Sequence, residues 1–242
     1  MNVIIKRPPM ISASRNLTID MFNNPDTLNL FSDASCDNAT FRAKNNKING
    51  CSGAIAVWCD RIIDEDYRVN NDETVPAAEI RGMRLSLSFA LKYRYQFRVM
   101  NLFCDSQIAV KSLRDYIYYW EYNPKTDMFY GGSGRPVKNY QLILECFAMM
   151  QELRKTNVLN VFHQRGHVEP GFDSLEQAKY AFERLNGMYG TVDMDVIRFV
   201  STYNNYVDDK SRRILKATDY KNHYYTDAIE YLPMGGIVYE RR

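Results

Sequence analysis

The hydrophobic period of this chain changes along its length, and the order of those changes restricts the fold more than any single motif. "TLNLFSDAS" (residues 27–35) alternates with period two, placing Leu28, Leu30 and Ser32 on one face and Asn29, Phe31 and Asp33 on the other, as a strand does. "GCSGAIAVWCD" (50–60) is a second strand candidate behind an Asn/Lys-rich turn containing Gly, and "DEDYRVNND" (64–72) is a third, short and polar. From Ala77 to Tyr93 the spacing becomes three to four: Ile80, Met83, Leu87, Ala90 and Leu91 line one face of an amphipathic helix whose first turn holds Glu79. "FRVMNLFCD" reads as a fourth strand and "SQIAVKSLRDYIYYW" as a second helix. The Gly- and Pro-rich stretch 121–137 reads as a loop, "KNYQLILECFAMMQELRK" as a third helix and "NVLNVFH" as a fifth strand. Hairpins suit the first three strands, and right-handed crossovers make the later ones parallel. The expected fold is α/β, a five-stranded mixed sheet of three antiparallel and then parallel strands flanked by helices.

A chain of 242 residues suits one domain with appendages. With 45% hydrophobic and 25% charged residues it can bury a sizeable core, and a formal net charge of +2 means that any basic surface must be local. Five cysteines (Cys36, Cys51, Cys59, Cys104 and Cys146) make an odd count without CxxC or zinc-type Cys/His spacing, which fits reduced thiols. "MNVIIKRPPM" lacks the apolar region of a signal peptide, and no run reaches the roughly 18 apolar residues of a membrane helix. The expectation is a cytoplasmic, soluble monomer with no membrane partner.

The fourth strand delivers Asp105 straight into Ser106 and Gln107 instead of into a turn residue. Asp33 likewise ends a strand that could neighbour it, while Glu79 and Asp208 sit on helices. Taken alone, each acid reads as a solvated cap or turn residue. Converging carboxylates read differently, because magnesium takes oxygen ligands, and two such ions roughly 3.5–4 Å apart stabilise the attacking and leaving oxygens of a phosphodiester.

At these residues the chain resembles the type 1 ribonuclease H family, in order from about residue 28 to 213. "LFSDASC" is similar to that family's first strand, "AAEIRGMRLSLSFAL" to its first helix with the single glutamate, and "LFCDSQIAVKSL" to its strand-end Asp-Ser, where Ser106 starts the helix and Asp105 faces the metals. "GRPVKNYQLI" (134–143) resembles the segment following a basic substrate-gripping protrusion. "FHQRGHV" resembles the strand entering the mobile Gly-His loop, and "NNYVDDKSRR" the final Asn-x-x-x-Asp helix.

The resemblance implies endonucleolytic hydrolysis of the RNA strand of an RNA/DNA hybrid. Asp33, Glu79, Asp105 and Asp208 would hold two Mg2+ ions, with Mn2+ able to substitute, and His167 would assist proton movement or product release. Cys36, Asn38, Ser106, Gln107 and Asn204 fall on hybrid-contacting positions. The protrusion at 111–138 offers Lys111, Arg114, Lys125, Arg135 and Lys138 to phosphates, among Tyr116, Tyr118, Tyr119, Trp120 and Tyr122. Those aromatics read equally as a core stripe.

Departures from the pattern also matter. "CDNATFRAKNNKING" replaces the family's glycine-rich stretch, and "VPAA" (75–78) replaces its asparagine pair. Between the ribonuclease H-like region's His167 and Asn204 lies an insertion, 168–203. It holds a helix candidate, "DSLEQAKYAFERLNG", with Asp173 or Ser174 as N-cap and Gly187 as stop; extra packing, a lid or a protein-partner surface are its open roles. Apolar residues from Val192 to Val200 could lengthen the last helix, so Asp209 competes with Asp208, and Asp193 or Asp195 could replace both. The expected organisation is an N-terminal extension (1–27), a catalytic domain (28–217) and a C-terminal tail (218–242). A catalytically idle binding module and a DNA nuclease of the same superfamily are the rival readings.

Overall fold

In a computed structural model, which describes residues 16–37, 48–188 and 190–217, the alternating run becomes β1 (Thr27–Cys36). Its alternation separates two cores instead of core from solvent. Leu28 and Leu30 enter one cluster and Phe31 the other, all fully buried, because β1 is the middle strand of five. β2 (Ile48–Trp58) pairs antiparallel with β1 and with β3 (Arg61–Glu73). Cys59 and Asp60, at φ 45° and 59°, make the two-residue turn between β2 and β3, the handedness a twisted hairpin requires. β3 runs 13 residues, longer than the short polar strand expected, and its charged residues suit a sheet edge.

β4 (Val99–Cys104) lies parallel to β1, and β7 (Val158–His163) parallel to β4, giving the order β3-β2-β1-β4-β7. A ladder of asparagines fixes that register. The Asn160 amide donates to Asn101 Oδ1 (2.9 Å), Asn101 donates to Asn29 Oδ1 (3.0 Å), and Asn29 donates to the Phe22 carbonyl (2.7 Å). A one-residue slip would strand these amides in the interior, each at about 1–3 kcal/mol.

Three helices cover one face. α2 (Val75–Lys92) starts at Thr74, whose hydroxyl accepts from the Ala77 N–H, and buries Ile80, Met83, Leu87 and Ala90. α3 (Gln107–Arg114) ends earlier than the sequence suggested, at Asp115, and a 3-10 turn over Tyr116–Tyr119 follows. Residues 121–137, expected to be a loop, contain a hairpin of β5 (Glu121–Asn123) and β6 (Met128–Tyr130), held down by buried Trp120 and Phe129. α4 (Tyr140–Leu153) completes this layer.

On the opposite face α1 (Ile19–Phe22) buries Phe22, and Leu17 forms a parallel bridge with Val192. The described part of the expected N-terminal extension therefore packs on the domain. α5 (Phe172–Leu185) follows Gly171 as its N-cap, where Asp173 or Ser174 was expected. α6 (Met194–Ala217) is one helix of 24 residues, so 168–203 supplies α5 and the first turns of α6, and Asp208 lies well inside the helix. Stacked rings tie the insertion to the sheet: Phe31 to Phe103 (4.8 Å between centroids), Phe103 to Phe162 (5.3 Å) and Phe162 to Phe182 of α5 (5.5 Å). Among the described residues no helix is long and apolar enough to cross a membrane.

Candidate active site

Parallel pairing aligns Ser32 with Cys104, which brings the next residues, Asp33 and Asp105, side by side at the sheet's upper edge. Close packing of α2 brings the third acid over them, since a Cβ on Gly82 would stand 3.2 Å from the Asp33 carbonyl. Glu79 lies one turn earlier on the same helix. After Asp105 the chain turns into α3 with the Ser106 hydroxyl accepting from the Ala109 N–H (3.4 Å), so Ser106 serves first as an N-cap. Asp208 reaches the group from α6. It is 8% exposed, whereas the Asp209 side chain is 59% exposed and faces Arg212, and Asp193 and Asp195 lie exposed at the far end of α6.

Crowding of the carboxyls perturbs three of them. Burial, followed by Asp105, Glu79 and Asp208, raises the Asp33 carboxyl well above its ordinary value, against a hydrogen bond from the Ala34 N–H (2.7 Å). Burial, Asp105 and Asp208 raise Glu79 in the same way. Burial also raises Asp105, which hydrogen-bonds the Asp33 carboxyl, while nearby His167 pulls it down. Glu79 Oε2 is buried with no hydrogen-bond partner. Buried acids that repel one another and leave an oxygen orphaned are short of positive charge. Their all-oxygen donor set fits a hard divalent cation.

A histidine and an arginine meet one of these acids from outside. His167 Nδ1 is 3.2 Å from Asp208 Oδ2, and Arg212 donates to the same oxygen. His167 is held in the left-handed region at φ 52° although its side chain is 73% exposed, a strained backbone at the loop's tip. Beside it the chain passes so close to Asp105 that a Cβ on Gly166 would come within 2.1 Å of Oδ2.

Cys104 was read from the sequence only as one of five thiols, yet its Sγ and oxygens of Glu79 and Asp105 lie within 4.8 Å of one another. Burial first, and then Glu79 and Asp105, raise its thiol well above the ordinary value, and Sγ accepts from the Ser106 N–H. A protonated, fully buried thiol packs against the acids and is a poor ligand for a hard cation. The strand end itself was the only sequence signal for it.

Several expected nucleic-acid contacts change. Asn204 is 1% exposed with Oδ1 unpartnered, so it lies beneath the site and not on its surface. Arg114 donates to the Asn186 side chain (3.0 Å) and the Leu185 carbonyl (2.9 Å), clasping the end of α5 instead of facing solvent phosphates. Among the aromatics Trp120 is core, while Tyr116 and Tyr119 are exposed. Gln107, Lys125, Arg135 and Lys138 are exposed, and Cys36 is half-buried at the end of β1. Asn38 lies outside the described residues.

Strand order, strand directions and helix placement define a ribonuclease H-like fold, with an acidic centre at its strand ends. Among solved structures, the chain is similar to the N-terminal RNase H domain of a Mycobacterium tuberculosis protein (16% identity over 66% of this chain and 96% of that one, TM-score 0.38). It is also similar to RNase H1 of the archaeon Halobacterium salinarum (17% identity, 66% and 98%, TM-score 0.37). A third likeness is to the foamy viral protease-reverse transcriptase in complex with RNA/DNA hybrid (11% identity, 74% of this chain and 22% of that one, TM-score 0.46). No family model and no curated protein sequence matches the chain.

Proposed function

We propose that the protein is a divalent-metal-dependent endonuclease that hydrolyses the RNA strand of RNA/DNA hybrids. One observation carries the reading: Asp33 and Asp105 side by side at the strand ends, Glu79 on α2 above them and buried Asp208 on α6 gather four carboxyls, with an orphaned Glu79 oxygen, at a single place. Their oxygens would hold two Mg2+ ions, or Mn2+ in their stead, and bound metal would supply an acidified water and charge neutralisation at the leaving oxygen. Arg212 and His167 hold Asp208 in place from the solvent side. His167, exposed beside Asp208, is placed to carry a proton to or from the reacting phosphate.

The hybrid would lie across Gln107 and the first turn of α3, with Lys125, Arg135 and Lys138 of the β5–β6 region neutralising phosphates. Shape and the ribose 2′-hydroxyl, not sequence, would mark the RNA strand. The test is a gel of labelled hybrid incubated with protein and Mg2+, beside DNA/DNA and RNA/RNA duplexes. Cleavage of the hybrid's RNA strand alone is expected. Cleavage of DNA would transfer the reading to a DNA nuclease, and binding without cleavage would make the protein an idle module.

A further inference from the structure

The two ends of the inserted helix α5 differ. Its C-terminal end is fixed: Phe182 stacks in the ring ladder, and the Asn186 side chain pairs with both the N–H and the carbonyl of His163 (2.8 Å each). Its N-terminal end presents an aromatic ring to solvent. Phe172 is 63% exposed and, with Arg165, His167, Glu169, Asp173 and Gln177, lines an open cavity of about 510 Å³. That volume is within the roughly 300–1,000 Å³ of small-ligand sites. Through His167, whose Nδ1 is 3.2 Å from Asp208, the cavity adjoins the acidic centre.

The walls are held before any ligand arrives. The Glu169 N–H donates to Ser174 Oγ (3.1 Å), the Asn205 amide donates to the Val168 carbonyl (2.9 Å), and Arg165 donates to Gln177 Oε1 (2.9 Å). Their charge argues against a phosphate, since two carboxylates, Glu169 and Asp173, outnumber the one guanidinium, which Gln177 already engages. An exposed ring with acceptor groups around it suits a flat group bearing N–H donors, which describes a nucleobase. Bases inside a duplex are already stacked and paired, so the base that can enter is an unpaired one.

Resting on the hydrolase reading above, we infer that this cavity takes an unpaired nucleotide beside the cleaved phosphate. The preferred substrate is then a hybrid that continues into single-stranded RNA. Base–aromatic stacking of the usual strength corresponds to roughly tenfold or more in affinity.

The experiment measures binding, with Ca2+ replacing Mg2+ to suppress cleavage, to a blunt hybrid, the same hybrid with a short RNA extension, and one with an abasic extension. The protein is expected to bind the RNA extension about tenfold more tightly than the blunt form and to gain nothing from the abasic one. Phe172→Ala is expected to bring the extended-to-blunt ratio near one, and Phe172→Trp to keep it. A ratio near one in the unaltered protein, an equal gain from the abasic extension, or a ratio untouched by Phe172→Ala would overturn the inference. Cleavage of the blunt hybrid in Mg2+ alongside such a result would overturn this inference alone. Cleavage of neither hybrid would overturn the hydrolase reading as well.

Discussion

Replacing Gly166 by alanine is expected to remove most of the activity while leaving the fold nearly as stable. Gly166 does not occupy the left-handed region, so alanine is permitted by the backbone. The obstacle is one carboxylate: a Cβ there would stand 2.1 Å from Asp105 Oδ2 and 3.1 Å from its Cγ. To reopen 3.0 Å from 2.1 Å, that oxygen must retreat by about 0.9 Å. It ends a side chain that can rotate, at a strain of about 0.5–1.5 kcal/mol. Loss of unfolded-state entropy on Gly→Ala offsets about 0.4–1 kcal/mol of this, so stability should change by no more than about 1 kcal/mol. Chemistry has less tolerance, because misplacing a group by about 1 Å can cost roughly 100-fold in rate. Urea unfolding, Mn2+ affinity by calorimetry and hybrid cleavage in Mg2+ would be compared. A parental rate together with parental Mn2+ affinity would refute the placement of the loop against Asp105; an unfolded variant would refute the rotation.

Asp33→Asn is expected to abolish cleavage and to hold or raise the melting temperature of the metal-free protein. Because the Asp33 carboxyl is raised in the folded state, the folded protein binds that proton more tightly; stability therefore rises as pH falls from above the folded value towards the unfolded one. Melts in EDTA should show a weaker pH dependence in the variant, and an unchanged one would count against the coupling. Asp208→Asn should cost far more cleavage activity than Asp209→Asn, and the opposite ranking would move the register of α6 by one residue. Lys125→Ala, Arg135→Ala and Lys138→Ala together should weaken hybrid binding in Ca2+ and flatten its dependence on salt, by up to about 0.9 in log–log slope per lost phosphate contact; an unaltered slope would make them ordinary surface charges. Asn101→Ala should lower the urea-derived stability by about 1–3 kcal/mol for each stranded neighbour, Asn29 and Asn160, and a loss under about 0.5 kcal/mol would show that the ladder is not needed.

Elements whose signals are local could be read from the chain before folding. The period-two run at 27–35, the strand candidate behind a turn at 50–60 and the three-to-four spacing of Ile80, Met83, Leu87 and Ala90 became β1, β2 and α2 within a few residues, since their signals are local. The β5–β6 hairpin was missed because Gly131, Gly132, Gly134 and Pro136 speak locally for a loop. What makes strands there is burial of Phe129 from β6 against Trp120, which precedes β5. The second helix is shorter than its apolar pattern implies for a related reason: Tyr116–Tyr119 continue that pattern, but Ile117 is buried from a 3-10 turn instead.

By itself the sequence placed the five strands of the main sheet and most of the helices to within a few residues, because hydrophobic period, caps and turn residues act over a few positions; Asp33, read as a strand end, lies inside β1, which runs on to Cys36 beside β2. Tertiary structure alone decided which groups share the acidic centre. Cys104 and Asp105 meet Glu79 only because α2 packs tightly over β1 at Gly82, and Arg114 serves α5 only because the insertion folds back on β7. It likewise decided that Asp208 and not Asp209 turns inward and that Asn204 is sealed beneath the site. Both lie on a helix whose rotation is set by the packing of Val196, Val200 and Val207 against the sheet. Contacts between residues distant in the chain depend on the docking of whole elements, and no run of a few residues records how two elements will meet.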